Sequence, residues 1–180
     1  MWKQLIGASV ACALIVAAPA AYAQKKKEKC KDGETDKVAS YTAVKGVNID
    51  WMIKTSLTGK DGDPKAGLKW MTHRRLGNCI ACHEVSKIKA LAKADDAKSL
   101  KAYGFHGEIA PTLDGVADRY TVGELRMLVV NPKKIFPETI MPGFHVNQGL
   151  NRVIGDCEGL AILTAERVED IIAYLKTLKE

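Results

Sequence analysis

Five residues, Cys79-Ile80-Ala81-Cys82-His83, hold two thiols and an imidazole at a fixed spacing. They match C-x-x-C-H, the pattern that attaches a c-type haem. The two thiols can add across the porphyrin's vinyl groups and form thioethers. Two intervening residues let the sulfurs reach vinyls on adjacent pyrroles. His83 follows at once, so its imidazole falls beneath the ring and can bind iron from the proximal side. Two plainer readings compete. A thioredoxin-like dithiol would want a βαβ context, and no such alternation surrounds this segment. Half of a zinc site would want a second ligand pair, and the chain has no other C-x-x-C and no close histidine pair. One covalent haem c is therefore the expected cofactor.

Iron bound to His83 needs a sixth ligand if its task is electron transfer. Beyond the first 23 residues the methionines are Met52, Met71, Met127 and Met141. Met141 is the best placed, in the irregular run Thr139-Ile140-Met141-Pro142-Gly143 well after the attachment sequence. A loop can lay a thioether over the distal face, and a thioether raises the potential. Met127 falls among Leu125, Leu128 and Val129 and reads as core, and Met71 lies too close before the attachment sequence. His145 is the main rival, followed by His106 and His73. An open sixth site would instead suggest peroxidase or gas-binding chemistry. The proximal histidine is expected to give its free ring N–H to a carbonyl, and Pro111 is a plausible source. Arg119, Tyr120 and, more weakly, Arg152 are candidate propionate partners.

These groups must be positioned by helices separated by long loops. Pro64 can open a helix, and Ala66 to Gly77 reads as the helix leading into the haem site. Residues 86–102 carry Lys87, Lys89, Lys93, Lys98 and Lys101 and read as a solvated surface excursion. Gly104 to Tyr120 is loop-like. Thr121-Val122-Gly123-Glu124 is a capping-box pattern for a helix to about Val130, stopped by Asn131-Pro132. Residues 137–155 are irregular. Thr164 caps a last helix whose Val168, Ile171, Ile172, Leu175 and Leu178 recur at helical spacing. The expected fold is all-α, with the haem filling much of the core. Residues 24–65 show little periodicity and read as an extension.

The start of the chain reads as an export signal over residues 1–23. Lys3 precedes an apolar run from Leu5 to Ala18, and Ala21-Tyr22-Ala23 is a cleavage pattern. No membrane span is expected once it is removed. The formal net charge is +6, partly from Lys25, Lys26, Lys27, Lys29 and Lys31, which read as a solvated tail. No aromatic interleaving points to nucleic acid. Setting aside Cys12 and the two haem cysteines leaves Cys30 and Cys157. Outside the cytoplasm they can form a disulfide; a bond to a partner chain or two free thiols are the alternatives.

The chain resembles SoxX, the monohaem c-type subunit of the SoxAX cytochrome. The matching runs include Gly62-Asp63-Pro64, Gly77-Asn78 with the attachment sequence, Gly115-Val116-Ala117-Asp118-Arg119-Tyr120, Pro137-Glu138-Thr139-Ile140-Met141-Pro142-Gly143-Phe144, Gly149-Leu150-Asn151-Arg152-Val153 and Ile162-Leu163-Thr164-Ala165-Glu166-Arg167. The resemblance implies a class I cytochrome c-like domain over residues 66–180, after the 24–65 extension. Cys79 and Cys82 would hold the haem, with His83 proximal and Met141 distal. It implies a periplasmic heterodimer with a SoxA-like dihaem or monohaem cytochrome. That complex, an L-cysteine S-thiosulfotransferase, oxidatively couples thiosulfate to a cysteine of the carrier SoxYZ. The SoxX-like subunit would accept the electrons and pass them to a soluble cytochrome c, without catalysis by this chain alone. A free-standing carrier serving an oxidase is the other reading. Ala110 departs from the glycine common before Pro111, and the lysine-rich stretch is longer than the family's usual link.

Overall fold

The first regular helix, α1 (Pro64–Thr72), begins where the chemistry of its first residues dictates. The Asp63 carboxylate accepts the Lys65 N–H at 2.9 Å, and Pro64 sits at the first helical position with its φ already set. The computed structural model describes residues 37–151, 153 and 157–180. The export signal, the lysine-rich tail, Cys12, Cys30 and Arg152 lie outside them. After α1 come a 3₁₀ turn (Cys79–Ala81), α2 (Ser86–Lys89), α3 (Ala97–Tyr103), α4 (Val116–Arg119), α5 (Val122–Val130), a second 3₁₀ turn (Pro132–Lys134) and α6 (Ala165–Leu175).

Helix α1 stops five residues short of the expected Gly77. Its terminal Thr72 hydroxyl donates back to Leu68 O at 2.9 Å. His73 then turns extended, and its N–H goes to Trp70 O. The chain folds back so tightly that a Cβ on Gly77 would lie 2.4 Å from Trp70 O.

Helices α1 and α6 pack against each other through a glycine. A Cβ on Gly67 would lie 2.1 Å from Asp170 O and 2.9 Å from Tyr174 Cβ, so only hydrogen lets the two backbones come this close. The Asp170 carboxylate fixes the register. It accepts Asp63 N–H at 2.8 Å and Trp70 Nε1–H at 3.1 Å. The stripe read from α6 is buried at all five positions, Val168, Ile171, Ile172, Leu175 and Leu178, and joins Met71, Met127, Ile88 and Leu163 in one core.

Part of the extension is regular. Strands β1 (Ala43–Lys45) and β2 (Trp51–Ile53) form an antiparallel hairpin, and Ile53 is fully buried. This is a small addition to a helix-dominated fold. The hairpin's turn rests on α5. Glu124, fully buried, closes the capping box with Thr121. The same carboxylate accepts N–H groups from Val47 at 2.7 Å, from Asn48, and from Ile49 at 3.1 Å.

Burial alone would raise the Glu124 pKa. The N–H groups of Thr121, Asn48 and Ile49 outweigh it and hold the carboxyl down at about 2. A carboxyl lowered from 4.5 contributes stability above its unfolded pKa and loses it as pH falls from about 5 toward 2, a contribution of about 3 kcal/mol. Glu124→Gln places an amide NH₂ among donors. Urea unfolding should find it less stable by about that amount at pH 7. Its stability should also vary less between pH 5 and 2; an unchanged pH slope would refute the assignment.

The 86–102 stretch is a surface excursion, as expected. Its five lysines are exposed. Only Ile88 and Val85, at its root, reach the core.

Candidate haem site

One helical turn gathers the attachment residues. Asn78 adopts the left-handed conformation (φ 45°), which a short polar side chain tolerates. Ala81 N–H then bonds Asn78 O at 3.0 Å, and Cys82 and His83 N–H both bond Cys79 O, at 3.2 and 3.0 Å. Cys79 and Cys82, three positions apart on this turn, are free thiols and half-buried. Burial pushes the Cys79 thiol up to about 12.

The loop after the lysine-rich excursion runs back along this turn. Gly107 N–H bonds Ile80 O at 2.8 Å, Ala110 N–H bonds Cys82 O at 3.1 Å and Leu113 N–H bonds Glu84 O at 2.9 Å. A Cβ on Gly107 would lie 2.0 Å from Ala81 O, so contact this close requires glycine. Ala110 is accommodated without strain. It pairs in a parallel bridge with His83, and Asn78 is the one described non-glycine residue with positive φ.

That register brings Pro111 O within 2.6 Å of His83 Nδ1. A carbonyl only accepts, so Nδ1 carries the proton and the lone pair sits on Nε2, the tautomer a metal-binding histidine needs. The expected carbonyl source is therefore the one observed.

Met141 stands on a different loop, half-buried and packed against the same core as Cys79. Its N–H bonds Thr139 Oγ1 at 3.2 Å. Lys133 Nζ donates to Thr139 O at 2.8 Å. Phe144 and His145 N–H bond Val129 O and Val130 O at the end of α5. Met71 and Met127 are fully buried in the core, and Met52 lies on β2.

Two of the rival histidines, His145 and His106, have other partners. His145 is fully buried. Its Nδ1–H donates to Leu163 O at 2.7 Å and its Nε2 accepts Ala39 N–H at 2.9 Å, which leaves no lone pair for iron. His106 Nδ1 accepts Val85 N–H at 2.9 Å and its Nε2–H faces Tyr103 O at 3.0 Å. Burial lowers its pKa, in keeping with the neutral ring those bonds require. It pins together the two ends of the excursion. His73 Nδ1 is buried without a hydrogen-bond partner.

Arg119 and Tyr120, the candidate propionate partners, have contacts within the protein. Arg119 directs its guanidinium at backbone, with Nη1 to Asp114 O at 2.6 Å and Nη2 to Thr112 O at 2.8 Å. Tyr120 packs against the core. Asp114 went unnoticed in the sequence. Its carboxylate takes both the N–H and the hydroxyl of Ser86, at 2.9 and 2.6 Å, and so fixes the start of α2 against the loop. Cys157 is disulfide-bonded; its expected partner, Cys30, lies outside the described residues.

The donor set fits a covalent haem: two thiols on one turn, an imidazole with its second nitrogen fixed, and a thioether on a separate anchored loop. Zinc is a poorer match. Among the described residues no group of three or more His, Cys, Asp or Glu is placed to hold a metal ion.

Comparison with known proteins agrees. The cytochrome c family matches residues 59–179. A chain of the SoxXA crystal structure from P. pantotrophus superposes with a TM-score of 0.61 at 37% identity, covering 78% of this chain and 95% of that one. A comparison with curated proteins finds no match. Among the described residues no helix is long and apolar enough to cross a membrane. The chain thus belongs to the cytochrome c family, as a SoxX-like electron-transfer domain that carries covalently bound haem c.

Proposed function

We propose that Cys79 and Cys82 are the haem thioethers, His83 the proximal ligand and Met141 the distal one. The observation that carries this reading is the His83 Nδ1–Pro111 O bond of 2.6 Å beside the two-thiol turn. The bound group supplies reversible one-electron exchange at iron. The protein's residues tune and protect it. Pro111 O holds the His83 ring in one orientation and strengthens it as a donor. The Met141 thioether is a soft ligand that favours the reduced state.

On this reading the chain is the electron-accepting subunit of a SoxAX-like periplasmic heterodimer. A SoxA-like cytochrome joins thiosulfate oxidatively to a cysteine of SoxYZ. This chain takes the electrons and hands them to a soluble cytochrome c. The likeness to a SoxXA chain over most of its length supports the assignment. No paired acid and base or activated nucleophile beside the attachment turn suggests bond-making by this chain itself.

The test is to purify the exported holoprotein from its native host and identify what accompanies it. A second cytochrome in the complex, with haem reduction that requires both thiosulfate and the carrier, is the expected result. A protein that purifies alone and is reduced without the carrier would be a free-standing electron carrier, and the heterodimer assignment would fall.

A further inference from the structure

We infer that Arg119 is the positioning residue for the proximal histidine, acting through the loop that carries Pro111. The inference rests on the reading of His83 as an iron ligand.

Pro111 lies in a loop secured from two sides. On the attachment side, Ala110 N–H bonds Cys82 O, and Leu113 N–H and the Thr112 hydroxyl both reach Glu84 O. These bonds set the height of the loop along the turn. On the other side stands α4, a single turn that opens at Gly115 with φ of 67°. Arg119 ends it. The Arg119 main-chain N–H bonds Gly115 O at 3.3 Å. Its guanidinium reaches back over the loop and takes Asp114 O at 2.6 Å and Thr112 O at 2.8 Å.

The two carbonyls flank Leu113, and Thr112 is the residue next to Pro111. A planar fork with two parallel N–H donors fixes both direction and distance. Arg119 therefore constrains the Thr112–Leu113 peptide, one unit beyond the peptide that carries Pro111 O, and through Thr112 the aim of Pro111 O at His83 Nδ1. A well-aimed carbonyl acceptor makes the imidazole a stronger donor to iron, which favours the oxidised state. A loosened one favours the reduced state.

A propionate role for the same arginine makes the opposite prediction, because there its positive charge matters and its fork does not. Lysine separates the two, since it keeps the charge and loses the fork. In the holoprotein, Arg119→Lys should shift the oxidised–reduced equilibrium toward reduced haem by roughly threefold, a rise of about 30 mV at about 59 mV per tenfold. The His83 ring N–H, followed by NMR in the reduced protein, should exchange with solvent at least several-fold faster.

A lowered melting temperature with the potential and ring-proton exchange unchanged would make Arg119 a structural clasp and overturn the inference. An unchanged potential in Arg119→Lys with a fall in Arg119→Gln would assign it to charge and overturn it as well. Failure of the reading beneath is distinguishable: the unmutated holoprotein would then lack the absorption spectrum of histidine-ligated haem c, whatever the variants do.

Discussion

Met141→Ala is expected to leave the haem attached, abolish the far-red sulfur-to-iron charge-transfer band of the oxidised protein and lower the potential. The fall should be on the order of one to a few hundred millivolts, a substantial part of the roughly 0.8 V that axial ligation spans. On the proposed ligation the thioethers at Cys79 and Cys82 and the bond at His83 do not involve Met141, so the cofactor stays. The loop stays too. It is secured by Lys133 Nζ to Thr139 O and by Phe144 and His145 N–H to carbonyls of α5, none of which uses the methionine side chain. What is lost is a soft ligand that stabilises reduced iron.

His145, four residues on from Met141, cannot take over cheaply. His145 would have to give up the buried Leu163 O and the part-buried Ala39 N–H. Leaving the buried Leu163 O unpaired costs about 1–3 kcal/mol. Met127→Ala is the control. Met127 is fully buried, so its truncation should cost about 2–5 kcal/mol of stability and leave the charge-transfer band in place. Optical spectra and a redox titration of the two variants decide the matter. An unchanged oxidised spectrum in Met141→Ala would remove Met141 from the iron.

Much of this arrangement was legible in the sequence because it is encoded locally. The attachment turn is five contiguous residues. The capping box of α5 and the Thr164 cap of α6 spell their own start points, and Asn131-Pro132 spells the end of α5. What stayed hidden is held by distant backbone. The hairpin Ala43–Lys45/Trp51–Ile53 has three-residue strands with no clear alternation, and Glu124, more than seventy residues away, holds its turn. Helix α1 looked longer because Ala66 to Gly77 is helix-capable throughout; a fold-back onto Trp70 O ends it. His145 looked like a ligand from its spacing to Met141, yet its ring is committed to Leu163 and Ala39. Arg119 holds two main-chain carbonyls, contacts that no side-chain pattern announces.

Glu169→Ala should be among the most destabilising single substitutions in the chain, at about 3–5 kcal/mol. Arg126 on α5 and Glu169 on α6 form a two-pronged pair, Nε–Oε1 at 2.7 Å and Nη2–Oε2 at 3.0 Å, with side chains only 5% and 4% exposed. The third guanidinium nitrogen bonds Ile53 O at 2.7 Å, and Leu57 N–H bonds Glu169 Oε1 at 2.9 Å. One ion pair thus ties two helices to β2 and to the segment leading into α1. Removing the carboxylate leaves a guanidinium charged and desolvated, which is what makes the loss large. The pair itself need not be strongly stabilising, because both ions were taken out of water to make it. Arg126→Met combined with Glu169→Leu should therefore recover much of what Glu169→Ala loses, although Leu57 N–H loses its partner in both and Ile53 O loses its partner in the double variant. Urea unfolding followed by circular dichroism compares the variants. If Glu169→Ala costs under about 1 kcal/mol, the pair behaves as a solvated surface contact, and the account of how α5, α6 and the hairpin are joined is wrong.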